Sequence, residues 1–186
     1  MSLESNKTLG GIGAILTAIG SVVPIIGIIG IILVLIALKG LAEYYNESLI
    51  FQNALYGVIF YVIAVVAAAF VLTVGVFSGI LAGASAGSVL LFTGGIILAA
   101  VAMFIFYLIG VWFFKRSFDV LSAKSGEKMF NTAGLLLLLG AILTIIVIGL
   151  LLMLVAWILA AVAFFSIKTT NAPPPQAQTL PPPPPS

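Results

Sequence analysis

Any chemistry in this chain has to come from hydroxyls and a few ammonium, guanidinium and carboxylate groups, because its 186 residues include no His and no Cys. The commonest general base and the commonest metal ligand are both missing. So are a thiolate nucleophile, a zinc ribbon and a disulfide framework. The main hydroxyls within the apolar sequence are Thr17, Thr73, Thr93 and Thr144. Each can bond the carbonyl one turn back in its own helix, which satisfies the hydroxyl without activating it. Ser85 and Ser88 have no base near them in sequence. There is no HExxH, no GxSxG with triad partners and no pair of acids inside an apolar run. The expectation is no catalytic residue, no metal ligand, no cofactor and no enzymatic activity.

The ionisable groups are confined to four short stretches: Glu4 and Lys7; Lys39, Glu43 and Glu47; Lys115, Arg116, Asp119, Lys124, Glu127 and Lys128; and Lys168. Between them lie uncharged runs at 8–38, 48–114 and 129–167, each longer than the roughly 18–20 apolar residues a membrane-spanning helix needs. Hydrophobic residues make up 63% of the chain and charged ones 6%, against roughly 45–50% and 25% in soluble domains. Water-soluble packing cannot hide that much apolar surface, whereas lipid covers it without cost. The fold class expected is an all-α integral membrane protein, with the lipid bilayer as its first partner. A net charge of +2, with no basic stripe interleaved with aromatics, argues against nucleic acid. Met1–Lys7 is too short and polar for a signal peptide, and the apolar run after it too long.

The elements that position these groups follow from length. As one straight helix, 48–114 would be about 100 Å long, so it folds back. The small-residue stretch Ser78–Ser88 is the natural break, placing long spans at 54–78 and 88–114. Pro24 divides the first run into 8–22 and 25–42, and the region of Ile148-Gly149 divides the last into 131–146 and 149–167. Six hydrophobic segments result: a hairpin, two long spans and a second hairpin. The alternative is four spans with long bent outer helices. In the six-segment arrangement all seven Lys and Arg fall on one side; with four spans, Lys7 and Lys168 cross to the other. The positive-inside rule therefore favours six segments, a cell-membrane location and both termini cytoplasmic. The first arm of each hairpin, 8–22 and 131–146, is short and need not cross fully. Residues 1–168 form the helical domain and 169–186 a disordered cytoplasmic tail, rich in Pro and inclined to extended polyproline II.

Gly75, Gly79, Gly83 and Gly87 recur every four residues, a small-xxx-small stripe that lets helices approach closely. It is expected to pack the two long spans together, or alternatively to form a dimer face. Tyr44, Tyr45, Phe118 and Phe130 are expected as interfacial anchors, in loops that can meet headgroups or a partner. Asn46 is expected to cap the third helix, with Glu47 complementing its dipole. Ser125-Gly126 should provide a turn. The string Gly13-Ala-Ile-Leu-Thr17 recurs as Gly140-Ala-Ile-Leu-Thr144, a chance match or a trace of two related halves. The sequons at Asn6 and Asn46 face the cytoplasm in this topology and should stay unmodified.

Lys7–Leu16, the Lys39–Asn53 connection, Arg116-Ser-Phe and Ser125–Phe130 together resemble the archaeal uncharacterised membrane proteins called domain of unknown function 996. The resemblance covers about 1–168. The first half is also similar, more loosely, to small membrane proteins of the chloroplast-import Tic20 type, through Pro24, Lys39 and the Phe-Gln-Asn approach to the third helix. The first family implies an archaeal cell membrane and carries no known activity; the second implies at most a channel or translocation role by analogy. The expected function is a non-enzymatic scaffold or assembly protein, working through a membrane-protein partner or a second copy. The alternative is a small channel or permease component.

Overall fold

The structure, a computed structural model, describes residues 2–20, 23–82, 86–146 and 148–168. The expected Pro-rich tail, Gly83 and Ser85 lie outside the described residues. Among the described residues six α-helices follow in order: α1 (Leu3–Ile19), α2 (Pro24–Tyr44), α3 (Ser48–Ala82), α4 (Ala86–Ser125), α5 (Met129–Leu143) and α6 (Ile148–Ser166), with a 3-10 turn at Thr144–Ile146 before α6. No strand occurs among the described residues. Five of the helices, α2 to α6, contain segments long and apolar enough to cross a membrane. The outer runs are hairpins, not long bent helices.

The turns have local causes. Ser2 caps α1 by accepting the backbone N–H of Ser5 at 3.3 Å. Pro24 opens α2, where its missing N–H costs nothing. Asn46 does not cap α3. It sits at φ 51° just past the end of α2, with its N–H bonded to the Glu43 carbonyl and that of Glu47 to the Ala42 carbonyl. This is a Schellman motif, and Asn is one of the few residues besides Gly that tolerates the left-handed position. Gly126, at φ 75°, closes α4 with a single bond to the Ser122 carbonyl.

Each helix packs on its neighbours in sequence, and α1 meets α6 to close a ring. In the pairs α1–α2, α3–α4 and α5–α6 two glycines meet. A Cβ on Gly13 would lie 2.8 Å from the Gly30 carbonyl oxygen, one on Gly57 2.8 Å from that of Gly110, and one on Gly140 3.0 Å from that of Gly149. The repeated string therefore has one role in both hairpins. Its Gly is the crossing point, and its Thr (Thr17 or Thr144) donates to that glycine's carbonyl at 2.8 Å.

The long helices exceed the expected bounds, most of all α4, which runs to Ser125 instead of stopping near 114. Phe114, Ser117, Phe118 and Leu121 are all buried, a stripe of helical period that carries α4 through the charged stretch. Around it the core gathers at the charged end, where Phe114, Phe118, Phe130, Trp157 and Phe164 meet at ring-centroid distances of 4.9–6.4 Å.

Candidate interaction surface at the charged end

The turns 45–47 and 126–128, the start of α1 and the end of α6 bring the charged stretches to one end of the ring. Three ion pairs form there. Lys7 meets Glu4 at 3.4 Å within α1, Lys115 meets Asp119 at 2.5 Å within α4, and Lys124 reaches Glu47 at 3.0 Å, tying the end of α4 to the α2–α3 turn. The hydrogen bond from Lys124 holds the Glu47 carboxyl below its ordinary range, with help from the Leu49 backbone N–H. Burial raises the Tyr45 hydroxyl above its usual value, and the neighbouring Tyr44 adds to this.

The remaining charges point outward. Lys39, Arg116, Lys128 and Lys168 are exposed and make no ion pair among the described residues; Arg116 lies over the ring of the exposed Trp112 at 4.9 Å. Of the acids outside the pairs, Glu43 is exposed and Glu127 accepts the N–H of Met129. Four free cations against two acids leave this end net positive.

Three polar features here were not foreseen from sequence. Asn6 is fully buried, and neither side-chain polar atom has a hydrogen-bond partner among the described residues. Ser117, also buried, donates to the Ile50 carbonyl at 2.6 Å, joining α4 to α3. Asp119 has one carboxylate oxygen on Lys115 and the other buried without a partner. The spacing of Lys115 and Asp119 was the one available signal, since residues four apart on a helix are neighbours.

The expected interfacial residues divide. Tyr44 is half exposed and meets Tyr45 edge-on at 5.0 Å. Phe118 and Phe130 are fully buried and belong to the core, so they are not surface anchors. Their neighbours on the partner helices, Trp157 and Phe164, draw both rings inward. The glycine stripe is uneven as well. A Cβ on Gly75 would lie 2.7 Å from the Phe92 ring, while Gly79 and Gly87 have nothing within 4 Å. The close approach of α3 and α4 is at Gly57 and Gly110.

Thr17, Thr73, Thr93 and Thr144 each donate to a carbonyl one turn back at 2.8 Å. Among the described residues no hydroxyl is bonded to a carboxylate or an amine, and no cluster of three His, Cys, Asp or Glu could hold a metal. What this end can do chemically is present positive charge and aromatic edges to a surface.

A family of proteins of unknown function, DUF996, has a model that matches residues 26–158. The uncharacterised protein MJ1644 of Methanocaldococcus jannaschii is 33% identical over 141 residues, covering 75% of this chain and 78% of that protein. Neither match is to a Tic20-type protein. No solved structure matches.

Proposed function

We propose, for a chain that belongs to the DUF996 family of proteins of unknown function, a non-enzymatic role as a multi-pass integral membrane scaffold. It sits in the cell membrane with its charged end and both termini in the cytoplasm. The observation that carries this reading is the segregation of charge. Lys39, Arg116, Lys128 and Lys168 stand free at one end, while the long helices above them expose Phe70, Phe77 and Leu98 at 67%, 65% and 72%. Positive charge at one edge favours the cytoplasmic leaflet and its anionic headgroups. The same end offers Tyr44 and the α2–α3 turn to a membrane-protein partner.

The test is Cys scanning on the natural Cys-free background. Cys at positions 45, 122 and 170 should resist an impermeant reagent added to intact cells and react after lysis. Labelling of position 45 or 122 from outside would reverse the orientation. Mild-detergent purification should retain a partner or a second copy, and a bare monomer in every preparation would remove the scaffold role.

A second reading, a small channel or permease component, draws on the two outer hairpins, since interrupted helices line binding sites in transporters. Liposomes containing the protein and showing no solute or ion flux above empty controls would dismiss it.

A further inference from the structure

The hairpins reach different depths. The Tyr107 hydroxyl donates to the Met153 sulfur at 3.0 Å, and Thr144 lies 3.9 Å from the same sulfur, so α4, α5 and α6 share a level there. The exposed pair Arg116 and Trp112, a cation over an aromatic ring, suits the membrane edge. From Arg116 inward to Tyr107 is about 14 Å along the helix. The α5–α6 hairpin adds roughly 8 Å, from Met153 back to Ile148, and so ends about 22 Å deep.

The α1–α2 hairpin stops sooner. A Cβ on Gly10 would overlap the Phe164 ring, which puts those two residues level. About 15 Å further in, α1 reaches Gly20 and α6 reaches Leu154, beside Met153. The first tip therefore lies near the Tyr107 level, about 14 Å from the edge. From Arg116 to Ala86, α4 runs about 45 Å. The hydrocarbon core is roughly 30 Å thick. Measured inward from the Arg116 level, α3 and α4 exceed it and the two outer hairpins fall short of it.

Resting on the reading of the chain as membrane-integral, we propose that the molecule is a wedge whose partner is a curved bilayer. Six helices occupy the leaflet at the charged end, and α3 and α4 alone reach the opposite surface. The tips stay in lipid, and their side chains agree: Ile25 is 73% exposed, Ile145 76% and Ile148 58%, with no charge nearby in sequence. Beyond the tips the two long helices carry no charge on any described outward face and expose Val66, Phe70, Leu72, Phe77, Ile97 and Leu98, while the exposed Thr73 and Thr93 hydroxyls donate to carbonyls of their own helices. An all-round apolar helix calls for acyl chains, where a partner protein would cover one face. A helix about 10 Å across occupies about 80 Å², so α1 and α2, which stop near the midplane, together with α5 and α6, which end halfway through the far leaflet, expand one leaflet by about 240 Å² relative to the other. That asymmetry favours a membrane convex on the charged side.

The experiment uses the full chain in phosphatidylcholine vesicles containing phosphatidylglycerol, with fluorophores on Ile25→Cys, Ile145→Cys and Gly87→Cys. Expected are strongest quenching of positions 25 and 145 by lipids brominated at mid-chain, and labelling of position 87 from the face opposite Lys168. Severalfold enrichment in small sonicated vesicles over large extruded ones should accompany them. Protein that fails to float with vesicles, or washes off in alkaline carbonate, overturns the membrane reading itself. If the protein stays inserted, labelling of position 25 or 145 from the opposite aqueous face means the hairpins cross and the wedge is wrong. Equal partition between vesicle sizes overturns it too. Crosslinking between copies through Phe70→Cys or Phe77→Cys would put a second chain where the wedge requires lipid.

Discussion

The carboxamide of Asn6 lies against the backbone of Gly40, so close that a Cβ on Gly40 would overlap it. Asn6 is fully buried, and its amide nitrogen and oxygen are both without partners. Burying such groups unpaired is costly, and the absence of a side chain at position 40 is what makes room for them. Gly40→Ala forces the amide or the α1–α2 crossing to move, and should cost about 1–3 kcal/mol. Asn6→Leu removes both orphaned groups at similar volume and should stabilise by roughly 1–3 kcal/mol. Equilibrium unfolding of both variants in mixed micelles reads the two signs. A destabilised Asn6→Leu would mean that the amide has a bonding partner in the membrane.

The contact of α3 with α4 makes a sharper contrast. A Cβ on Gly57 would come within 2.8 Å of the Gly110 carbonyl oxygen, and one on Gly110 within 2.9 Å of that of Gly57. Both meet backbone, which cannot step aside. Gly57→Ala and Gly110→Ala should each destabilise by about 1–3 kcal/mol, whereas Gly79→Ala, in open space, should stay within about 0.5 kcal/mol. A change of oligomeric state in Gly79→Ala, seen by light scattering, would instead restore the stripe as a dimer face.

Six segments, their hairpin order and the gathering of charge at one end were legible because they depend on composition and on one Pro. Chain register was not. Gly57 and Gly110 stand outside any repeat, and they meet only because antiparallel packing of α3 and α4 brings them level. Asn6 reads as a polar residue in a polar N-terminus, and its burial comes from Gly40 on another helix. The end of α4 was misplaced for a different reason. Charge at Lys115 and Arg116 ends the uncharged run but not the helix, because Phe114, Ser117, Phe118 and Leu121 carry the period of a buried face. The same stripe explains why Phe118 is core, not anchor.

Stability should depend on acid through Glu47. Its pKa is held below the ordinary carboxylate value by Lys124, so the folded form binds its proton less readily than the unfolded chain. Its contribution is complete above the unfolded-state pKa of about 4.3 and is lost as pH falls through the lower folded value. Unfolding midpoints measured from neutral pH downward should be flat on this account until about pH 5, then fall. Glu47→Gln should remove part of that acid dependence while leaving the shape above it unchanged. An identical acid limb in the variant would show that Lys124 and Glu47 do not pair in the membrane.

Lys115 and Asp119 pair within α4 at 2.5 Å, with side chains 24% and 29% exposed. Gly134 of α5 closes over the lysine stem, where a Cβ would lie 3.2 Å from Lys115 Cγ. The pair is therefore half sheltered, and the second carboxylate oxygen of Asp119 is buried without a partner. A fully buried pair loses roughly 3–5 kcal/mol when one member is removed, because the other charge is stranded. Partial exposure lets water and lipid headgroups screen the remainder, so Lys115→Met should cost nearer 1–2 kcal/mol. Asp119→Leu alone strands the ammonium, but its flexible stem can carry it to the edge, so that loss should be smaller. The double variant replaces two charges by two apolar chains and should recover most of the stability, giving a coupling energy of about 1 kcal/mol or more. A cycle that closes with no coupling would assign Lys115 to packing against Gly134 alone. Gly134→Ala should then mimic the Lys115→Met loss, and the charge of Asp119 would play no part in holding α4 to α5.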